Sequence, residues 1–374
     1  MNFLNKLFGN GISQPQQTAI EEALKTVSDP FLQQDLNTLK VLQQAHLKKG
    51  KLTLSLHYPY PAKSLFLSFE QQLTPLLMAI EGIDSVEYDW QIEVVAHQTQ
   101  ANLPSLPEVK NIIAVASGKG GVGKSTTSVN LALALQQEGA QVAILDADIY
   151  GPSLPTMMGV FDKPQSKDGK SMQPLNAYGV QVMSIGFLIE PDSPMIWRGP
   201  IVTQTLTQLL KETAWEAVDY LIIDLPPGTG DVQLTLSQQI PVTGAVIVTT
   251  PQEVSLIDAR KGLKMFEKVN IDILGIIENM STHICSNCGF EEPIFGQGGG
   301  KRMAETYGVP FLAALPLDIR IREEVDAGKP TVVAEPSSEI ALKYKNIAHQ
   351  VGAQLAQKKK NYANAFPKIE IVNN

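Results

Sequence analysis

Cysteine and charge are both scarce in this chain. Its 374 residues include only two cysteines, Cys285 and Cys288. So few cysteines exclude a disulfide framework, and with it the small secreted scaffolds that depend on one. Charged residues make up 18% of the chain, and the formal net charge is −8. This acidic balance argues against a nucleic-acid-binding protein with a basic face and against a polybasic membrane-surface protein.

Long apolar runs are absent as well. No run approaches the ~20 residues needed to span a bilayer. The first residues, MNFLNKLFGNGISQ, contain neither a long apolar stretch nor a small-residue cleavage site, so we expect no secretory signal. These absences predict a cytoplasmic protein with no membrane or nucleic-acid partner. The apolar content of 44% is nevertheless enough for a sizeable core, and the length predicts two to three domains.

Composition changes along the chain predict five segments. They are a flexible arm (1–16), a small α+β domain (17–97), a linker (98–110), a large α/β domain (111–357) and a solvated tail (358–374). The linker is polar and carries Pro104 and Pro107, a composition typical of connecting segments.

Hydrophobic periodicity predicts the elements of the small domain. Asp29-Pro30 is expected to open a helix, because Leu32, Leu36, Leu39 and Leu42 follow at helical spacing. The other predicted elements are a helix over Gln17–Val27, a strand over Lys51–Tyr58, a helix over Ser68–Ile80 and a strand over Val86–Val95.

In the large domain, short apolar runs rich in β-branched residues alternate with helical patterns. The predicted strands are Asn111–Ala116, Val142–Leu145, Val180–Ile185, Tyr220–Ile223, Ala245–Val248 and Ile273–Ile277, and the clearest helices are Ser125–Glu138 and the last one, ending near Gln357. Buried strands joined through helices indicate crossover connections. We therefore expect an α/β fold with a mostly parallel, doubly wound sheet.

A glycine-rich loop lies between the first strand and first helix of the large domain. It consists of Gly118, Lys119, Gly120, Gly121, Val122, Gly123, Lys124, Ser125 and Thr126. This is a phosphate-binding P-loop with the strand–loop–helix context that supports the assignment. Glycines let backbone N–H groups surround phosphate oxygens, and the helix N-terminus adds positive potential. Lys124 is expected to bind the β- and γ-phosphates, and Ser125 to bind Mg²⁺.

Acidic residues follow two of the predicted strands. Asp146 and Asp148 come after the second strand, and Asp224 ends another, with Asp231 a few residues beyond it. Doubly wound sheets bind ligands at the carboxyl ends of their strands. Carboxylates placed there can hold Mg²⁺ or its water shell and so neutralise charge on a transferring phosphoryl group.

The two cysteines form one Cys-Ser-Asn-Cys motif. Such a pair is a metal or cluster site, a redox pair or a coincidence. Two thiolates are too few for a closed tetrahedral zinc site or a cubane cluster, which need four ligands. Two copies of the chain related by a twofold axis would supply four. His283 is a further candidate ligand, although a loop histidine without a metal role is the simpler interpretation.

Lys119 sets the P-loop apart. The sequence GKGGVGKST resembles the deviant Walker A motif of cell-division and plasmid-partition ATPases and of the nitrogenase iron protein. In that superfamily the early lysine reaches the nucleotide of a partner subunit. The resemblance therefore implies an ATP-bridged homodimer, with Lys119, Lys124 and Asp148 as catalytic residues.

Several motifs in order closely resemble the Mrp/ApbC-type iron–sulfur cluster carrier ATPases. They are GKGGVGKST, LDADIYGPS, the segment Met195–Pro200, DLPPGTGD, ENMS and CSNC. The resemblance spans Asn111 to about Gln357, and the amino-terminal domain looks like the small cluster-assembly domain often fused to these proteins.

This resemblance implies a role for each site residue. Asp224 is then the Walker B acid, Asp146 lies near the metal, and Asp148 orients the attacking water. Asp231 belongs to switch II, and Asn279 contacts adenine. Cys285 and Cys288 bridge a [4Fe–4S] cluster between subunits.

The expected function is that of an ATP-hydrolysing carrier that delivers a cluster to apoprotein clients. Three alternatives stay open at this point. One is a partition or positioning ATPase, one is an electron donor like the nitrogenase iron protein, and one is a dimer bridged by structural zinc.

Overall fold

The computed structural model describes residues 11–100, 103–166, 168–189 and 199–361. Most of the predicted arm and tail, and residues 195–198 of the MIWRGP motif, lie outside these ranges. Among the described residues, none of the helices is both long and apolar enough to cross a membrane.

The small domain is a three-stranded sheet packed against two helices. Its elements are α1 (Gln14–Thr26), β1 (Leu42–Lys48), β2 (Lys51–Tyr58), α2 (Lys63–Met78) and β3 (Ser85–Ile92). β2 lies in the centre, antiparallel to β1 and parallel to β3. Its alternate side chains are fully buried, because one face of the sheet packs on the helices and the other meets solvent.

The helix predicted to start at Asp29 is wrong. Residues 29–40 form turns, and the chain then enters β1. The carboxylate of Asp29 accepts hydrogen bonds from the N–H groups of Phe31 and Leu32, both at 2.6 Å, which closes a local turn. Gln33 and Lys40 have positive φ angles of 54° and 56°, and a right-handed helix does not tolerate such angles. The leucine spacing therefore reflects burial in a turn-rich segment.

The helix α1 also starts earlier than the sequence pattern suggested. It begins at Gln14, inside the predicted arm, and Pro15 lies in its first turn. The side chain of Gln16 accepts a hydrogen bond from the N–H of Ser13 at 2.9 Å. This bond satisfies a backbone donor that precedes the helix.

An eight-stranded sheet forms the large domain. Its strands are β4 (Val109–Ser117), β5 (Val142–Asp146), β6 (Leu175–Ala177), β7 (Val180–Ser184), β8 (Val218–Asp224), β9 (Gly244–Thr249), β10 (Ile273–Glu278) and β13 (Phe311–Ala314). Their order is β13-β10-β9-β4-β8-β5-β7-β6, and every neighbouring pair is parallel except β6 with β7. The expected mostly parallel α/β fold is confirmed.

Helices cover both faces of this sheet, and a short hairpin projects from it. The helices are α3 (Lys124–Gln137), α4 (Leu154–Met158), α5 (Gly199–Glu212), α6 (Asp231–Gln239), α7 (Glu253–Lys268), α8 (Gly299–Tyr307), α9 (Ile319–Asp326), α10 (Thr331–Ala334) and α11 (Glu339–Ala356). The hairpin consists of β11 (His283–Ile284) and β12 (Glu291–Glu292). β4 and β8 consist almost entirely of buried residues, as expected for central parallel strands.

The two domains meet at a buried carboxylate. Glu138, directly after α3, accepts hydrogen bonds from the N–H and hydroxyl of Ser64 at the start of α2, both at 2.8 Å. Its carboxylate also lies 3.0 Å from Nε2 of His349 on α11, and the His349 ring packs on Phe31. One polar cluster therefore joins the small domain to the helix that begins at the P-loop.

Candidate functional site

The P-loop connects the carboxyl end of β4 to the first turn of α3. Gly123 caps the helix with a φ of +83°, a conformation that glycine adopts without strain. A Cβ there would lie 2.1 Å from the amide nitrogen of Asn279. At Gly118 it would lie 2.3 Å from the backbone of Asp258. These two glycines therefore allow the loop to pack closely against β10 and α7.

Lys124 and Asp224 form a buried ion pair at the centre of this site. Nζ of Lys124 lies 2.8 Å from Oδ1 of Asp224, and the side chains are 5% and 0% exposed. Ser128, one helical turn after Lys124, donates a hydrogen bond of 2.6 Å to the same carboxylate oxygen. β4 pairs directly with β8, so the P-loop and the acid that ends β8 come together at one edge of the sheet.

Asp146 is, like Asp224, a fully buried acid of the site. It lies opposite Asp224 in the pairing of β5 with β8. Its carboxylate accepts hydrogen bonds of 3.0–3.2 Å from the N–H groups of Asp148, Ser153 and Leu154 and from the hydroxyl of Ser184. Burial, followed by the nearby Asp224 carboxylate, raises the pKa of Asp146 to about 7.

Asp148 and Ser125 lie on the open side of the site. Burial raises the pKa of Asp148, and the ammonium group of Lys124, 3.9 Å from Oδ2, partly offsets this effect. The hydroxyl of Ser125 lies 3.3 Å from Nζ of Lys124. Lys119, like Ser125 and Thr126, is partly exposed, and its backbone oxygen accepts a hydrogen bond from Ser117.

The oxygen atoms around Lys124 suit a divalent cation that is bound together with a nucleotide. Oδ2 of Asp224 is buried and has no hydrogen-bond partner among the described residues. The hydroxyl of Ser125 and the carboxylate of Asp148 are the other hard oxygen donors close to Lys124, and oxygen is the donor that Mg²⁺ prefers. No three histidine, cysteine or acidic side chains in the described ranges are grouped as a metal site. The oxygens of Asp224, Asp148 and Ser125 fit part of a Mg²⁺ shell, and substrate phosphates would complete it.

Asn279 belongs to the same site, directly after β10. Its amide donates a 2.9 Å hydrogen bond to the backbone oxygen of Val122 in the P-loop. The sequence indicated Asn279 only through the resemblance. It missed Ser128, whose position four residues after Lys124 on a helix was an available signal. The neighbour of Asn279, Glu278, is a buried carboxylate that bonds Gly298 and Gly300 rather than the P-loop.

The cysteines lie apart from the P-loop, in the turn between β11 and β12. The N–H of Cys285 donates to the oxygen of Phe290 at 3.0 Å, and the N–H of Gly289 donates to the oxygen of Cys285 at 2.8 Å. Neither cysteine forms a disulfide; Cys285 is partly exposed and Cys288 is exposed. Backbone N–H groups of Asn287 and Cys288 lower the pKa of Cys285. One tight hairpin turn therefore carries both thiols.

The structure thus brings Lys124, Asp146, Asp148, Asp224 and Asn279 together and holds the cysteine pair on a separate projection. Asp231 is the first residue of α6. The position of its side chain is outside the described part of the structure.

Comparison with known proteins identifies the family of this chain. The family described as NUBPL iron-transfer P-loop NTPase matches residues 108–352, and the family described as iron-sulfur cluster assembly protein matches residues 17–88. The chain belongs to the iron–sulfur cluster carrier family of P-loop NTPases.

Individual relatives of the carrier agree along nearly the whole chain. A protein named iron-sulfur cluster carrier protein from Haemophilus influenzae is 49% identical over 349 residues, covering 93% of this chain and 94% of that protein. One of the same name from Escherichia coli K12 is 50% identical, covering 89% and 90%. Dictyostelium discoideum has a cluster transfer protein named NUBPL that is 47% identical, covering 69% and 80%.

A solved structure agrees with the fold of the carrier. The nucleotide-binding protein of Archaeoglobus fulgidus, in complex with ADP, superposes with a TM-score of 0.54 at 37% identity, covering 63% of this chain and 92% of that one. The carrier is therefore a P-loop NTPase of the cluster-transfer family preceded by a small cluster-assembly domain.

Proposed function

We propose that two copies of this carrier hold one [4Fe–4S] cluster between their cysteine hairpins and transfer it to apoproteins, in a cycle that ATP binding and hydrolysis control. The observation that carries this proposal is the position of Cys285 and Cys288 at the exposed turn of a hairpin. One chain offers two thiolates, and a cubane cluster needs four ligands. A twofold homodimer supplies them.

Exposure of the pair suits transfer better than storage. The cluster is the cargo of this protein, and thiolates of a client can displace those of the carrier only if they can reach the iron. Cys288 is exposed, and its neighbour Gly289 presents no side chain. Free thiols of this kind persist in a reducing compartment such as the cytoplasm.

Hydrolysis of ATP is assigned to the residues around the P-loop. Lys124 and the loop N–H groups bind the β- and γ-phosphates, and Asp148, open on one side, orients the attacking water. Asp224, Asp148 and Ser125 would hold Mg²⁺, which neutralises charge that develops on the transferring phosphoryl group. Lys119 reaches the nucleotide of the partner subunit and ties hydrolysis to the dimer.

Replacement of the cysteines tests the carrier proposal. Cys285→Ala or Cys288→Ala leaves two thiolates per dimer, so iron and sulfide taken up in anaerobic reconstitution should fall to background. Cluster transfer to an apoprotein should stop while ATP hydrolysis continues, because the hairpin and the P-loop are separate segments. Ser286→Ala, in the same turn, is the matched control and should bind iron like the wild type.

Two results would overturn the proposal. If the anaerobically purified wild type holds stoichiometric zinc and the cysteine variants lose their folded dimer, the pair is a structural clip. If the variants fully complement a cluster-assembly defect in cells, the cysteines do not carry the cargo, and a positioning-type ATPase becomes the better interpretation.

A further inference from the structure

Residues 280–300 contain both cysteines and form the cysteine segment. The two residues before it, Glu278 and Asn279, form a junction that contacts the P-loop. Asn279 donates its amide to the oxygen of Val122 at 2.9 Å. The next loop residue, Gly123, has no side chain to keep the two segments apart. This part of the loop and the 278–279 junction are therefore in direct contact.

The outgoing leg of the cysteine segment runs from the junction to Cys285 along the residues that follow β13. The N–H of Ser281 donates to the oxygen of Leu315 at 2.9 Å, and the N–H of Leu317 donates to the oxygen of Thr282 at 2.6 Å. Ile284 adds a bond of 3.3 Å to the oxygen of Leu317. This ladder extends the parallel pairing of β10 with β13 up to the residue before Cys285.

The returning leg is tied to the same junction. The carboxylate of Glu278 is 1% exposed and accepts hydrogen bonds from the N–H groups of Gly298 at 2.9 Å and Gly300 at 2.6 Å. A Cβ on Gly300 would come within 3.0 Å of Cβ of Glu278, so this contact has no room for a larger residue. The outgoing leg therefore begins at Asn279, and the returning leg is hydrogen-bonded to the adjacent residue, Glu278.

We propose that the 278–279 junction transmits the nucleotide state of the P-loop to the cysteine hairpin, with Glu278 as the positioning residue that makes both legs move together. The inference rests on the proposed function, since it takes the hairpin as the cluster-binding element. Asn279 receives the movement of the loop, and Glu278 passes it to the returning leg through two hydrogen bonds. Without Glu278 the hairpin follows the P-loop through the outgoing leg alone, so the response of both thiols to nucleotide becomes smaller.

Thiol reactivity reports this coupling without any cluster. The full-length reduced protein is treated anaerobically with iodoacetamide, and alkylation of Cys285 and Cys288 is timed by mass spectrometry. The comparison is between nucleotide-free protein and protein saturated with Mg²⁺ and adenylyl imidodiphosphate. For the wild type we expect the rates in the two states to differ by about fivefold, the lower end of typical coupling between sites.

Glu278→Gln tests the junction, because the carboxamide can accept from only one glycine N–H and turns an N–H of its own toward the other. Its nucleotide affinity should stay within about twofold of the wild type, while the rate difference between states falls below about twofold. Glu324→Gln is the matched control; this carboxylate accepts from Thr331 and touches neither leg. It should keep the wild-type difference.

Hydrogen exchange of the wild type covers the case in which Glu278→Gln does not fold. Peptides spanning residues 281–300 should change their exchange when the analogue binds, together with peptides of the P-loop. The proposal is overturned if only the P-loop responds, if wild-type alkylation is the same in both states, or if Glu278→Gln keeps the full difference. Failure of the proposed function is seen separately, as a wild type that takes up no iron and sulfide.

Discussion

Nζ of Lys124 lies 2.8 Å from Oδ1 of Asp224, and neither side chain is more than 5% exposed. The lysine expected to bind phosphate is therefore already paired with the acid expected to be the Walker B residue. An incoming nucleotide has to compete with Asp224 for this ammonium group, and a cation at the free oxygen of Asp224 would ease that exchange.

Lys124→Ala should abolish hydrolysis of Mg-ATP, with a loss of at least about 100-fold, because the β- and γ-phosphates lose a fixed charge in a water-poor site. It should also lower the free energy of unfolding of the nucleotide-free protein by about 3 kcal/mol, since Asp224 is left as a buried charge without its partner. Phosphate release and urea unfolding measure the two effects.

A double variant separates these effects. Adding Asp224→Asn to Lys124→Ala removes the unpaired charge, so much of the lost stability should return while hydrolysis stays absent. Iron uptake on reconstitution should survive in both variants, because the cysteines lie elsewhere. Wild-type hydrolysis in Lys124→Ala would contradict the assignment of the nucleotide site.

Lys119→Ala should leave nucleotide affinity nearly unchanged but slow hydrolysis and weaken ATP-dependent dimerisation. Lys119 is partly exposed, and Lys124 already occupies the position beside the acids. Hydrolysis should be measured over protein concentrations above and below the dimer dissociation constant. Lys170→Ala, at an exposed turn, is the control. Equal rates for wild type and Lys119→Ala across that range would mean that Lys119 is an ordinary surface lysine.

Asp146→Asn should flatten the pH dependence of stability between about pH 4 and pH 7. Burial raises the pKa of Asp146 from 3.8 to about 7, so in this window the folded protein binds a proton that the unfolded chain releases. Its contribution to the free energy of unfolding therefore falls as pH rises, by up to about 1.4 kcal/mol per pH unit.

Urea unfolding of the nucleotide-free protein at pH 5, 6 and 7 measures this slope. Asp168→Asn serves as the control, because hydrogen bonds from the N–H groups of Ser171 and Lys170 lower the pKa of Asp168 to about 2, outside the window. An unchanged slope in Asp146→Asn would contradict the raised pKa.

Glu138→Gln should weaken the contact between the small and the large domain, and the loss should depend on pH. Burial alone would raise the pKa of Glu138, but hydrogen bonds from His349 and from the N–H of Ser64 outweigh it and hold the pKa below the usual 4.5. A lowered carboxyl pKa contributes stability above pH 4.5, and this stability is lost as pH falls through the folded-state value.

The variant should therefore lose about 2 kcal/mol of unfolding free energy at pH 7 and much less at pH 3.5. Glu212→Gln, whose carboxylate bonds only the exposed side chain of Gln208 among the described residues, is the comparison. The same loss at both pH values would show that the charge of Glu138 does not matter.

The features that could be predicted from the sequence are those that local patterns encode. The strand Lys51–Tyr58 has the bounds that its alternation predicted, and the P-loop follows a run of buried residues in β4. The leucine spacing from Asp29 to Leu42 predicted a helix that does not form, because these leucines are buried through turns and long-range contacts. No local pattern marks such a segment.

Glu278 shows why the 278–279 junction could not be predicted from the sequence. Its partners, Gly298 and Gly300, lie about 20 residues later, on the far side of the hairpin. The partners of Asn279 and Ser128 likewise come from strands or loops far along the chain. Such roles depend on how the sheet brings strand ends together, and only the three-dimensional arrangement reveals them.

The position of β4 in the sheet has a consequence for biosynthesis. β4 pairs only with β8 and β9, which the ribosome makes about 100 residues later. The small domain contains its own sheet by Ile92, so it can fold while the rest is synthesised, as domains generally do. The strand that carries the P-loop has no strand to pair with until β8, which ends at Asp224, has emerged, and its second edge stays open until β9, which ends at Thr249, follows. Nascent chains that stall before this point expose an unprotected strand, which makes them clients for chaperones and prone to aggregate.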